Sequence, residues 1–152
     1  MEAQLDSRLD YGKLAPEGLA KMRALEHYLS TGTGFEPTLL ELVRLRVSVM
    51  NGCEYCVGLH TGELQRHNET AERIAEIADW RGSDVYTQRE RAALGWAEAL
   101  TDIQEGHAPD VVYDAVQEHF TDVETVNLTL AITTINAWNR IAIGLGVHAG
   151  RR

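Results

Sequence analysis

Apolar residues recur at three- and four-residue steps along most of the chain, and the stretches between them carry the residues that start and stop helices. Leu19, Met22, Leu25, Tyr28 and Leu29 form such a stripe after Ala15-Pro16-Glu17-Gly18, and Ser30-Thr31-Gly32-Thr33-Gly34 ends it. Pro37 opens the next helix where a missing N–H costs least, and Leu39 to Met50 run with so few polar interruptions that this helix is expected to be largely buried. Asn51-Gly52 is a turn signal with apolar helix before it and helical pattern after it, which predicts a helix-turn-helix reversal and not a strand hairpin. Thr87 and Glu90 match a capping box ahead of a helix to about Ile103, and Pro109 starts a short helix carrying Val111, Val112, Ala115 and Val116. Thr121 and Glu124 form a second capping-box match, opening a long apolar helix through Ile143 whose residues from Val126 belong in the core or in a subunit contact. The tail from Gly144 is expected to fray. No strand pattern competes, so the expected fold class is all-α, with about six to eight helices.

No repeat, low-complexity run or long linker divides the chain, and residues 1–152 read as one domain. With 44% hydrophobic and 24% charged residues, it is large enough to bury a core without disulfide staples. The N-terminus has neither the basic start nor the apolar run of a secretory signal, and no segment reaches the roughly 18 apolar residues of a membrane span. The expected compartment is cytoplasmic, where thiols stay reduced unless they react. Fourteen Lys and Arg against 23 Asp and Glu give a formal charge of -9, a poor match to nucleic acid or to a membrane of anionic lipid.

The chemistry concentrates around the reversal. Cys53 and Cys56 are the only cysteines, and a Cys-x-x-Cys pair can cycle between dithiol and disulfide because the second thiol resolves what the first has formed. If the helix after the turn includes residues 53 to 67, Cys53, Cys56 and His60 fall on one face at i, i+3 and i+7. Cys56 is one turn from the His60 imidazole, whereas Cys53 is nearest the positive end of the helix dipole, so the attacking sulfur is left undecided. Glu41 and His60 lie roughly 15 and 12 Å from the turn on the two arms, close enough in level to face each other. A carboxylate on an apolar helix needs a partner, and the pairing would make a relay of Glu41, His60 and the thiols. Plainer readings compete. Thr38-Leu39-Leu40-Glu41 is itself a capping-box match, and Cys53, Cys56 and His60 with Glu41 or His67 could hold zinc, although no second Cys pair is present. His27, His67, His107, His119 and His148 are scattered and read as surface or structural residues.

Glu41, Cys53-Glu54-Tyr55-Cys56 and His60, set in the run from Leu39 to Thr61, resemble the AhpD-like alkylhydroperoxidase core of the carboxymuconolactone decarboxylase family. Trp80-Arg81, the segment from Tyr86 to Leu94 and the segment from Ile135 to Arg140 are similar to single-domain bacterial members. The resemblance implies an all-helical AhpD-like fold that assembles into trimers or hexamers with the active site near a subunit contact. It also implies a thiol-dependent peroxidase, in which Cys56 is oxidised by a hydroperoxide to a sulfenic acid and Cys53 is the proton donor and resolving thiol. Glu41 and His60 correspond to the proton relay. No metal and no bound cofactor are implied, and an external dithiol, thioredoxin-like or lipoyl reductant restores the pair. Well-known members carry a histidine directly before the second cysteine, where this chain has Tyr55. The lactone decarboxylases of the same family generally lack the cysteine pair. Two alternatives stand beside the peroxidase: a disulfide reductase serving a separate peroxiredoxin, and a non-enzymatic oligomeric or zinc-binding helical module.

Overall fold

Helices begin where the chain supplies a proline or a capping side chain. A computed structural model describes residues 7–146. In order these form α1 (Tyr11–Leu14), α2 (Pro16–Thr31), α3 (Pro37–Asn51), α4 (Glu54–Arg66), α5 (Ala71–Ala75), a 3-10 segment (Glu76–Gly82), α6 (Gln88–Thr101), α7 (Asp110–His119) and α8 (Asp122–Leu145). No strand occurs among the described residues. Pro16 and Pro37 occupy the first helical turns of α2 and α3. Both capping boxes form in full, Thr87 with Glu90 and Thr121 with Glu124. Pro109 is the residue before α7 and not its first helical residue, and α6 stops at Thr101, two residues short of the expected end. Three short elements escape periodicity because they hold too few residues to show it: α1, α5 and the 3-10 segment.

The apolar α3 is the centre of the packing. It contacts α4, α6 and α8, and buries Leu39, Leu40, Leu42, Val43, Leu45 and Val47. One side joins Leu29 of α2, Ala93 and Trp96 of α6, Val116 of α7 and Leu128, Ile132 and Ile135 of α8 in the main core. The other side joins Leu64 of α4, Leu94 of α6, and Ile77, Trp80 and Tyr86 in a second cluster. A helix buried on two sides has little room for polar side chains, which isolates the two charged residues it does carry inward, Glu41 and Arg44. Along the long α8, Leu128, Ala131, Ile132 and Ile135 are fully buried, whereas Val126 is 60% exposed in the single chain and belongs to the face left for a subunit contact under the sequence expectation. Helical rotation places position 126 on the outer face of α8. Of the tail, Gly144 and Leu145 continue α8, and positions 147 to 152 lie outside the described residues.

Candidate active site

Between α3 and α4 the chain reverses through Gly52, whose φ of 70° is the left-handed conformation that favours glycine. The Gly52 and Cys53 amides bond back to the end of α3, the latter to the Ser48 carbonyl at 3.0 Å. Cys53 is therefore held as the N-cap of α4, in extended conformation, and its sulfur accepts from the Cys56 amide at 3.3 Å. The expectation that Cys53 begins the helix is corrected by one residue: α4 starts at Glu54, because the tight return from α3 leaves residue 53 outside helical geometry. A disulfide joins Cys53 and Cys56 with their Cα atoms 5.3 Å apart. Both are nearly inaccessible, at 1% and 4% exposure, and pack against Ala142 and Ile143 of α8.

On the other arm, Glu41 does not cap α3. Its helix has no side-chain cap, and the carboxylate points into the α3–α4 contact. One oxygen, Oε2, lies 2.7 Å from His60 Nδ1, and the other, Oε1, accepts from Arg44 Nη1 at 2.7 Å. Arg44, 3% exposed, also reaches Glu26 of α2 at 2.8 Å and Ser30 at 3.3 Å. Burial pushes the Glu41 carboxyl up, but the His60 hydrogen bond and the Arg44 charge together outweigh it and hold the group below its ordinary value. An ionised carboxylate can only accept, so His60 Nδ1 must donate. That leaves Nε2 as the ring nitrogen able to take or give a proton. His60 and Cys56, one turn apart on α4, both line a cavity of about 340 Å³ that Tyr11, Trp138 and Ala142 help to close. Cys53 does not line it.

A second polar layer ties the reversal to α8. Asn139, fully buried, donates to Ser48 Oγ at 3.1 Å and accepts from Asn51 at 3.0 Å. Asn51 also donates to Asn136, which in turn reaches Thr101 of α6. The last turn of α3, and with it the start of α4, is thus fixed against α8 by hydrogen bonds as well as by packing.

The sequence profile of the carboxymuconolactone decarboxylase family matches residues 16–99, from the start of α2 through most of α6. That span includes the reversal, both cysteines, Glu41 and His60. The chain belongs to the carboxymuconolactone decarboxylase family. It is 37% identical to the uncharacterized protein YdfG of Bacillus subtilis over 97% of this chain and all of that one. Among solved structures, the protein ATU0492 of Agrobacterium tumefaciens, provisionally named antioxidant defence protein AhpD, superposes with a TM-score of 0.89 at 41% identity. The match covers 92% of this chain and 95% of that one, so the fold is the AhpD-like one. The debrominase Bmp8 shares the fold at a TM-score of 0.77 and 19% identity, over 91% of this chain and 74% of that one.

All four residues singled out in this carboxymuconolactone decarboxylase family member come together around the α3–α4 contact: Glu41 on His60, and Cys53 on Cys56. No hydrogen bond runs from His60 to either sulfur among the described residues. His67 is the C-cap of α4, and no group of three His, Cys, Asp or Glu side chains placed to hold a metal occurs among the described residues. Sequence reasoning missed Arg44, although a second charge three residues after Glu41 on an apolar helix is a usable signal. It also missed Tyr11, Arg23, Glu26 and Trp138, which line the cavity from distant elements and carry no local signature.

Proposed function

We propose that the chain is a thiol-dependent peroxidase that reduces organic hydroperoxides. The observation that carries this reading is the joint placement of Cys56 and His60 on one cavity, with His60 held at 2.7 Å by a buried, ionised Glu41. Cys56 rather than Cys53 is the attacking thiol, because only Cys56 lines the cavity, while Cys53 is capped inside the turn. In the reduced enzyme His60 Nε2 takes the Cys56 proton, and the thiolate attacks the outer peroxide oxygen. The O–O bond breaks, an oxygen passes to sulfur as a sulfenic acid, and the proton returns from His60 to the leaving alkoxide. The Cys53 thiol then displaces water from the sulfenic acid and closes the 53–56 disulfide. Two electrons and two protons from an external dithiol reopen the pair. Two exposed valines on α8, Val123 and Val126, at 71% and 60% exposure, support self-association through the helices. The likeness to Bmp8 shows fold alone and suggests no substrate.

The test is steady-state consumption of cumene hydroperoxide with dihydrolipoamide as the dithiol, in wild type, Cys56→Ser, Cys53→Ser and Glu41→Gln. Cys56→Ser is expected to abolish turnover, and Glu41→Gln to lower kcat/KM by about 10²-fold, the lower end of what a positioned acid–base group supplies. Cys53→Ser is expected to stop after one turnover at the sulfenic acid. Full turnover in Cys56→Ser defeats the reading. Rapid dithiol–disulfide exchange with no peroxide consumed favours a disulfide reductase serving a separate peroxiredoxin.

A further inference from the structure

Among the described residues, nearly every arginine is occupied. Arg44, Arg46, Arg66, Arg73, Arg81 and Arg89 each hold a carboxylate. Arg8, Arg91 and Arg140 donate to backbone carbonyls. Arg23, on α2, is the exception: it has no hydrogen bond or ion pair among the described residues. Yet it lines the same cavity as Cys56 and His60. The carboxylates that could neutralise it there are already engaged. Glu26 holds Arg44 at 2.8 Å, Glu41 is shared between Arg44 and His60, and Asp10, the N-cap of α1, holds Lys13 at 3.5 Å. Of the carboxylates and guanidinium groups, only Glu26 and Arg23 line the cavity, in a protein of formal charge -9, and with Glu26 held by Arg44 the group left unanswered there is the Arg23 cation.

The shape gives the rest of the ligand. Leu59, Ile135, Trp138 and Ala142 supply apolar lining to the same cavity. Tyr11, Tyr55 and Ala142 also line an adjoining cavity of about 300 Å³ that continues past Leu9 and Gly12. The Arg23 guanidinium sits where the two meet, since a Cβ built on Gly12 would stand 4.0 Å from its Nη2 and 3.8 Å from Asp10 Oδ1, whose carboxylate makes no ion pair with Arg23. We propose that the natural substrate is an organic hydroperoxide carrying a carboxylate, with the anion on Arg23 and the hydrocarbon along the apolar wall, so that the peroxide meets Cys56. This specificity rests on the peroxidase reading of the same site. A charged hydrogen bond at an accessible position discriminates by roughly tenfold.

The test compares a medium-chain hydroperoxy fatty acid with its methyl ester as substrates of wild type, Arg23→Gln and Arg23→Glu, with cumene hydroperoxide as a neutral reference. The acid-over-ester ratio of kcat/KM is expected to be about tenfold in wild type, to fall toward one in Arg23→Gln and to invert in Arg23→Glu. Wild type without an acid preference, or a preference that survives Arg23→Glu, overturns the inference. Binding of decanoate to Cys56→Ser by calorimetry separates the two levels. Binding that Arg23→Glu abolishes, in a protein whose wild type consumes no peroxide, keeps the anion site and defeats the peroxidase. Peroxide turnover with no Arg23-dependent decanoate binding defeats the anion site alone.

Discussion

Replacing Arg44 with Met removes the one cation that stands between Glu41 and Glu26, and its cost is expected to depend on pH. The Arg44 and Glu41 side chains are 4% and 10% exposed, so the pair is buried, and removing one member of a buried pair costs about 3–5 kcal/mol. Two features of this site push the value to the lower end. Glu26 is 26% exposed and can turn to water once released. Arg44 Nε has no hydrogen-bond partner although it is buried, and losing that unmet donor offsets part of the loss. About 3 kcal/mol at about pH 7 follows, a large share of a typical domain's stability. Met roughly conserves the apolar volume of the arginine stem, which leaves charge as the main difference.

The sign of the pH dependence is fixed by Glu41. In wild type its folded value lies below the ordinary 4.5, so its ionisation contributes stability that is present above 4.5 and lost as pH falls through the folded value. Without Arg44, burial is opposed by His60 alone, and the carboxyl is expected to rise. Charging it in the folded variant then opposes folding as pH increases through the raised value. The stability difference between wild type and Arg44→Met should therefore shrink from about 3 kcal/mol at about pH 7 to about 1 kcal/mol at about pH 4.5. Urea unfolding followed by far-UV circular dichroism at both pH values measures it. A difference equal at the two would show that packing of the stem, not the charge on Glu41, sets the cost.

Substitutions at two further positions test how the reversal is held. Asn139→Ala leaves the Ser48 hydroxyl and the Asn51 amide each short of a partner, and is expected to cost about 2–3 kcal/mol in urea unfolding; a loss under 1 kcal/mol would mean water replaces the side chain. Gly52→Ala meets nothing within 4 Å, so its cost is backbone strain alone, about 1–2 kcal/mol, and Gly52→Asn, which tolerates the left-handed region, should recover part of it.

The features read correctly in advance are those decided within a few residues or across one turn. The capping boxes at Thr87 and Thr121 are local hydrogen bonds written in the sequence. The Glu41–His60 contact was legible because both residues lie on helices joined by a two-residue reversal, so distance along the chain measures distance in space. The cavity was not legible. Tyr11, Arg23 and Trp138 reach it from α1, α2 and α8, and nothing local to any of them marks the destination. Which residues of α8 face the core was not legible for a related reason: an all-round apolar helix conceals which face is turned outward, as at Val126, and only its neighbours decide that.

Tyr55 sits where well-known relatives place a histidine, and its surroundings decide what that substitution removes. It is the second residue of α4, 59% exposed, and it lines both cavities. It has no hydrogen bond among the described residues. The parts that fix charge and proton position, Arg44, Glu41 and His60 Nδ1, are bonded to one another between α3 and α4 and do not involve Tyr55. A histidine at position 55 would add a second imidazole to the cavity lining, but it would not be needed to orient His60, which Glu41 already does. Under the proposed reading the chain therefore keeps the Glu41–His60 pair on the cavity it shares with Cys56. At position 55 it exchanges a proton carrier for an aromatic wall, which suits a substrate whose hydrocarbon must pass Tyr11 and Tyr55 to bring its peroxide to the sulfur.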